Sequence, residues 1–121
     1  MHIDELVEYG LSKPGTEETF PFDEVTLVIK VMGKMYLLIP TDQEEMRINL
    51  KCDPDRAVQL RESNESIIPG FHMNKKHWNT IILDGSLSND FIKELIDHSY
   101  DLVVKSLTKK LKTELAALDE S

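Results

Sequence analysis

The stretch VTLVIKVMGKMYLLIP, Val25–Pro40, limits what this chain can fold into more than any other segment. Val25, Leu27, Ile29 and Val31 fall on one face of an extended run, and Met35, Leu37 and Ile39 fall on one face of a second. Gly33-Lys34 splits the two runs, so the segment reads as a β-hairpin, and Pro40 closes it because proline cannot donate to a strand ladder.

The flanking segments add helices and further strands. Ile3, Leu6, Val7, Tyr9 and Leu11 have the spacing of a short amphipathic helix that Lys13-Pro14-Gly15 stops, and an acidic loop leads from there to the hairpin. Arg47-Ile48-Asn49-Leu50-Lys51 alternates, with Ile48 and Leu50 inward and Arg47, Asn49 and Lys51 toward water or a partner. Asp53-Pro54 opens a helix supported by Ala57, Val58 and Leu60. The carboxylate caps free N–H groups, and proline lacks an N–H that would be unpaired there anyway. Ile67-Ile68 and Asn79–Leu83 read as strand segments around a turn at Pro69-Gly70. Ser88 caps a long helix in which Phe91, Ile92, Leu95, Ile96, Ser99, Val103 and Leu107 keep helical spacing. The expected order is therefore α-β-β-β-α-β-β-α. Strands clustered in this way, without regular alternation with helices, indicate an α+β domain: an antiparallel sheet with helices packed on it.

A length of 121 residues fits one domain. Residues 1–107 are expected to form it, with 108–121 as a helical or disordered extension. No apolar run reaches membrane-spanning length, and the acidic amino-terminal segment lacks the basic-then-apolar pattern of a signal peptide. Cys52 stands alone, which excludes an internal disulfide or a multi-cysteine zinc site and suits a small hydrophobe at a strand end. The cytoplasm is the expected location.

A formal charge of -8 disfavours a sequence-blind nucleic-acid binder. Local fields still decide what docks, and the charge is uneven. Residues 1–24 carry seven acids against Lys13, whereas 66–83 carry Lys75 and Lys76 and no acid. Lys105, Lys109, Lys110 and Lys112 form a second basic group, where positive charge suits a helix C-terminus. Leu107, Leu111, Leu115 and Leu118 recur nearly every fourth residue, a spacing with which the tail can dock on another chain.

The Phe20-Pro21-Phe22 turn, Gly33-Lys34-Met35, NLKCDP (Asn49–Pro54), PGFHMNKKHWNT (Pro69–Thr80) and LIDHSYDLV (Leu95–Val103) together resemble the MmcQ/YjbR family, over roughly Ile3 to Leu107. The resemblance implies a small bacterial cytoplasmic domain with a secretion-chaperone-like α+β fold, described as DNA-binding through paired hairpin wings that carry basic residues.

Two accounts of the basic turn follow. In the functional one, Lys75 and Lys76 contact phosphates at the tip, His77 and Asn79 add polar contacts, and Arg47 and Lys51 extend the stripe from a nearby strand. In the structural one, Pro69 and Gly70 turn the chain, Phe71, Met73 and Trp78 cover the edge of the core, and His72, Asn74, His77 and Asn79 tie the loop down. The expected function is a non-enzymatic binding module contacting double-stranded DNA weakly through this turn. The alternative is a protein–protein adaptor or chaperone-like module that holds a peptide or partner chain.

Catalytic and metal chemistry fit the sequence poorly. His72 and His77 point to opposite faces of a strand, or about 140° apart on a helix, so no regular element brings both to one ion. His98, Ser99 and Asp101 fan out within one helical turn and cannot align as base, nucleophile and orienter. Asp97 and Asp101, four apart on the same helix, read as a solvated face. No cofactor, metal site or catalytic residue is expected.

Overall fold

The computed structural model describes residues 1–70 and 73–119. Helix α1 (Ile3–Leu11) precedes strands β1 (Thr16–Thr19), β2 (Thr26–Val31), β3 (Lys34–Pro40) and β4 (Arg47–Lys51). Helix α2 (Pro54–Ser63) leads to β5 (Ile67–Pro69) and β6 (Trp78–Ile82), and α3 (Asn89–Lys105) and α4 (Lys109–Asp119) end the chain. The six strands form one antiparallel sheet in the order β1-β2-β3-β4-β6-β5. The α+β class, the antiparallel sheet and the expected succession of elements all hold, with β1 and α4 as additions.

The caps fall where the sequence places them. The Asp53 carboxylate accepts the N–H groups of Asp55 and Arg56 at 3.1 and 3.2 Å, and Ser88 Oγ accepts that of Phe91 at 3.1 Å. The β2–β3 turn is Met32-Gly33, with φ of 49° and 86°. Two successive positive φ values match the twist of a hairpin, which is why glycine occupies one of them.

One core lies between the sheet and its helices. Leu27, Ile29, Val31, Leu37, Ile39, Ile48, Leu50, Ile67 and Ile81 face Leu6 of α1 and Ile92, Leu95, Ile96 and Val103 of α3. The hairpin departs from simple alternation at one point. Ile29 pairs with Leu37 and Lys30 with Met35, so Tyr36 is an extra residue, a β-bulge. Tyr36 therefore takes the inward place that alternation assigns to Met35; its hydroxyl donates to the Gly10 carbonyl at 2.6 Å and its ring meets Tyr100 edge-on. Val25 also departs: Asp23 Oδ1 accepts the N–H groups of Val25 and Thr26, which turns the chain there and leaves Val25 exposed ahead of β2.

The tail folds onto its own domain rather than offering a free leucine stripe. Leu107 and Leu115 join the core, Leu111 packs against it, and Leu118 remains 53% exposed. No helix among the described residues is long and apolar enough to cross a membrane.

Candidate functional site

The longest sequence motifs divide between the two faces of the sheet. On the helix side, Asp97-His98-Ser99-Tyr100 fastens α3 to everything beneath it. Asp97 accepts from the Tyr9 hydroxyl and pairs with Lys13, both at 2.6 Å. Burial, then the hydrogen bond to Asp97 and its charge, push the Tyr9 hydroxyl pKa up to about 12. Ser99 Oγ donates to the Tyr36 carbonyl at 2.6 Å and accepts the Lys51 N–H at 2.9 Å. The Tyr100 hydroxyl donates to the Pro14 carbonyl. His98 Nε2 accepts the Asp53 N–H at 3.2 Å, and burial, reinforced by the nearby Arg56 cation, lowers its pKa. Ser99, His98 and Tyr100 thus bond backbone groups, while Asp97, its side chain 43% exposed, holds Tyr9 and Lys13 at the surface. Cys52 is buried beside them, and burial raises its thiol pKa, as suits an inert small hydrophobe.

The opposite face carries no helix among the described residues. Cross-strand pairing sets Thr19, Val28, Leu38, Asn49, Thr80 and Ile68 in one row across all six strands. Arg47 and Lys51, each two residues from Asn49 on β4, share this face, paired with Ile82 and Trp78. The centre of the row is nonetheless buried, Asn49 at 8% exposure and Val28, Leu38 and Thr80 at less. Loops from both ends of the sheet wall it in. Between them opens a cavity of about 450 Å3, lined by Phe22, Asp23 and Val25, by Leu38 and Pro40 of β3, by Arg47 and Asn49 of β4, and by Met73. Phe22 stands 63% exposed at its rim and Phe20 48% exposed nearby in sequence.

The polar groups of this cavity are unevenly satisfied. Asp23 accepts from Val25, Thr26 and the Thr26 hydroxyl, and these bonds hold its pKa low. Asn49 Oδ1 accepts from the Thr80 hydroxyl, while its amide nitrogen meets no acceptor among the described residues. Arg47 Nε is buried with no hydrogen-bond partner among the described residues. The ion pairs among the described residues, Lys13–Asp97 and Arg56–Glu94, leave Arg47 out.

The residues expected to contact phosphates scatter over this frame. Arg47 and Lys51 share the helix-free face, and Lys76 is exposed on the 73–77 turn. Lys75 folds back, its ammonium donating to the Gly70 carbonyl at 3.0 Å while its own carbonyl accepts from Arg61. His77 is half-buried, its carbonyl accepting the Cys52 N–H. Asn79 leaves the stripe altogether. Strand alternation turns it to the helix side, where it is 1% exposed, donates to the Ala57 carbonyl and accepts from Arg61, both at 3.4 Å.

Of the loop residues expected to be structural, Asn74 accepts the Lys76 N–H through Oδ1 and those of His77 and Trp78 through its carbonyl. Pro69 ends β5, and Gly70 donates to the Trp78 carbonyl. Trp78 is half-buried on the helix-free face, so it covers that side of the sheet and not the edge of the main core. Phe71 and His72 lie outside the described residues. Sequence reasoning missed Leu38 and Met73 as cavity residues. The unbroken apolar run Tyr36–Ile39 was the available signal, since a strand buried on both faces loses its alternation.

This is a helix-backed antiparallel sheet with a loop-walled cavity on its bare face. The YjbR family model matches residues 11–102, and the chain belongs to that family. It is similar to the uncharacterised Escherichia coli K12 protein YjbR, 34% identical over 98% of this chain and 100% of that one. YyaQ of Bacillus subtilis is 42% identical over 46% of each chain. Among solved structures, Deinococcus radiodurans DR2400 superposes with a TM-score of 0.87 at 43% identity, covering 94% of this chain and 87% of that one. A Pseudomonas syringae protein does so at 0.73 and 28%, covering 84% and 98%.

Proposed function

We propose that the chain is a non-enzymatic binding module that holds a short segment of a partner protein on the helix-free face of its sheet. The cavity there carries the reading. At about 450 Å3 it falls in the range of roughly 300–1,000 Å3 usual for ligand sites, with apolar walls and a few polar groups to orient what enters. Phe22 at the rim is a large apolar contact available to a partner, the kind of residue that anchors interfaces. Catalysis is no part of the proposal, because the hydroxyl of Ser99 and the imidazole of His98 are committed to backbone groups. Panning a random peptide library on the wild-type protein and on Phe22→Ser tests it. Enriched peptides should bind the wild type at least about tenfold more tightly than the variant, the loss of one good anchor. No enrichment, or peptides indifferent to the substitution, overturns it.

Duplex DNA is the second reading, favoured by the exposure of Lys76 and by Arg47 and Lys51 on one face. Fluorescence anisotropy at several salt concentrations separates the two. DNA affinity falls by about 0.9 log units per log unit of salt for each phosphate neutralised. Reversing Lys75 and Lys76 to Glu should then abolish binding, whereas peptide capture in an apolar cavity should barely respond to salt. Asp23 and Asp42 in the cavity wall and the charge of -8 favour the peptide reading.

A further inference from the structure

We infer that the cavity is a carboxylate pocket, in which Arg47 and Asn49 receive a single carboxylate and Phe22, Leu38 and Met73 hold the apolar group beside it. The inference rests on the binding-face reading above and names the chemistry of what binds. A buried donor left without an acceptor is costly, and Arg47 Nε is one among the described residues. Arg47 and Asn49 line one cavity, so a ligand acceptor there would relieve the guanidinium and take a further hydrogen bond from the Asn49 amide. They belong to residues two apart on one strand and one face, with Cα atoms about 6–7 Å apart. The long Arg47 side chain closes that gap, and two carboxylate oxygens, with about four lone-pair sites, can accept from both groups.

The surroundings select among anions. Asp23 and Asp42 line the same cavity, so a phosphodiester chain or a dianion meets repulsion that a monoanion with an apolar body feels less. Neither acid replaces the ligand: Asp23 is held by Val25 and Thr26, and Asp42 Oδ1 accepts from Gln43 at 3.2 Å. A chain-terminal carboxylate and an acidic side chain offer the same group, so the probes must include both.

The experiment is a 15N NMR titration of the full chain that observes the Arg47 Nε–H resonance and the β4 amides. The probes are N-acetyl-phenylalanine, its neutral carboxamide, and N-acetyl-Asp-Phe-amide. At least one carboxylate probe should shift Arg47 Nε–H and bind about tenfold or more tightly than the carboxamide, the loss expected when one charge-assisted hydrogen bond goes. Whichever carboxylate probe binds better identifies the source. Arg47→Gln should remove the preference; the carboxamide comparison needs no variant and survives a folding defect. Equal binding of acid and amide overturns the carboxylate assignment, as does no shift at about 10 mM probe. Peptides that need Phe22 but no carboxylate would leave the binding face standing without this pocket. A carboxylate that binds where no panned peptide does would leave the pocket standing without the partner segment.

Discussion

The Ser99 hydroxyl donates to the carbonyl of Tyr36 and accepts the N–H of Lys51, so one side chain joins α3 to two strands. Ser99→Ala orphans a carbonyl and an N–H in the interior. At roughly 1–3 kcal/mol for each unsatisfied group, it should cost about 3 kcal/mol in urea unfolding. A loss below about 1 kcal/mol would mean that water reaches the gap. Asp53 caps α2 at the surface and has less at stake: Asp53→Ala should cost about 1 kcal/mol. Gly70 is constrained by approach, since an added Cβ would lie 2.9 Å from both the Cβ and the carbonyl oxygen of Trp78. Gly70→Ala should therefore cost about 2 kcal/mol, as overpacking does, and should shift the β6 amides in an NMR spectrum. A silent substitution would show that the turn relaxes freely.

At the scale of elements, legibility follows how strongly burial writes on the sequence. Helices α1, α2 and α3 were legible from apolar spacing or a capping side chain, and strands β2, β3, β4 and β6 from β-rich runs bounded by turn residues, although these strands are buried on both faces. Strand β1, Thr16–Thr19, was not. Its sequence is TEET, an edge strand with no apolar residue, and only pairing with β2 makes it a strand. The Tyr36 bulge was invisible for a related reason: an extra residue in a wholly apolar run changes no period that can be counted. Arg47 and Lys51 were legible as outward residues of an alternating strand. That loops would bury Asn49 between them was not, because loop placement is a tertiary fact. Helix α4 tests the same logic. Leu115 is buried over Gly15 and Met32, while Leu118 faces solvent. Leu115→Ala should lower stability by about 2 kcal/mol and Leu118→Ala by less than about 0.5 kcal/mol, read as urea midpoints at a common slope. Equal effects would mean that α4 does not dock as described.

At the scale of the whole molecule, the junction of α3, β4 and α2 makes folding sensitive to mild acid. His98 accepts a backbone N–H through Nε2, so the native state needs its neutral form. Burial and Arg56 lower its pKa against the opposing pull of Asp53, Asp101 and Glu94. The unfolded chain, with an imidazole near its ordinary value of 6.5, then binds a proton more readily than the native one. The His98 contribution to stability is thus fully present above that value and is lost as pH falls through the lower folded pKa. Asp23 and Asp84 also have lowered pKa values, but their contributions fade at more acidic pH, below the ordinary carboxylate value of 3.8. The interval from about pH 5 to 6.5 therefore isolates the imidazole. Wild-type stability should decline on acidification through it, while His98→Gln, whose side-chain carbonyl can still accept from Asp53, should hold a flatter profile. Chemical unfolding at half-unit pH steps reads both curves. If they run parallel, the imidazole is already free to ionise in the native protein, and the acid sensitivity of the fold has another source.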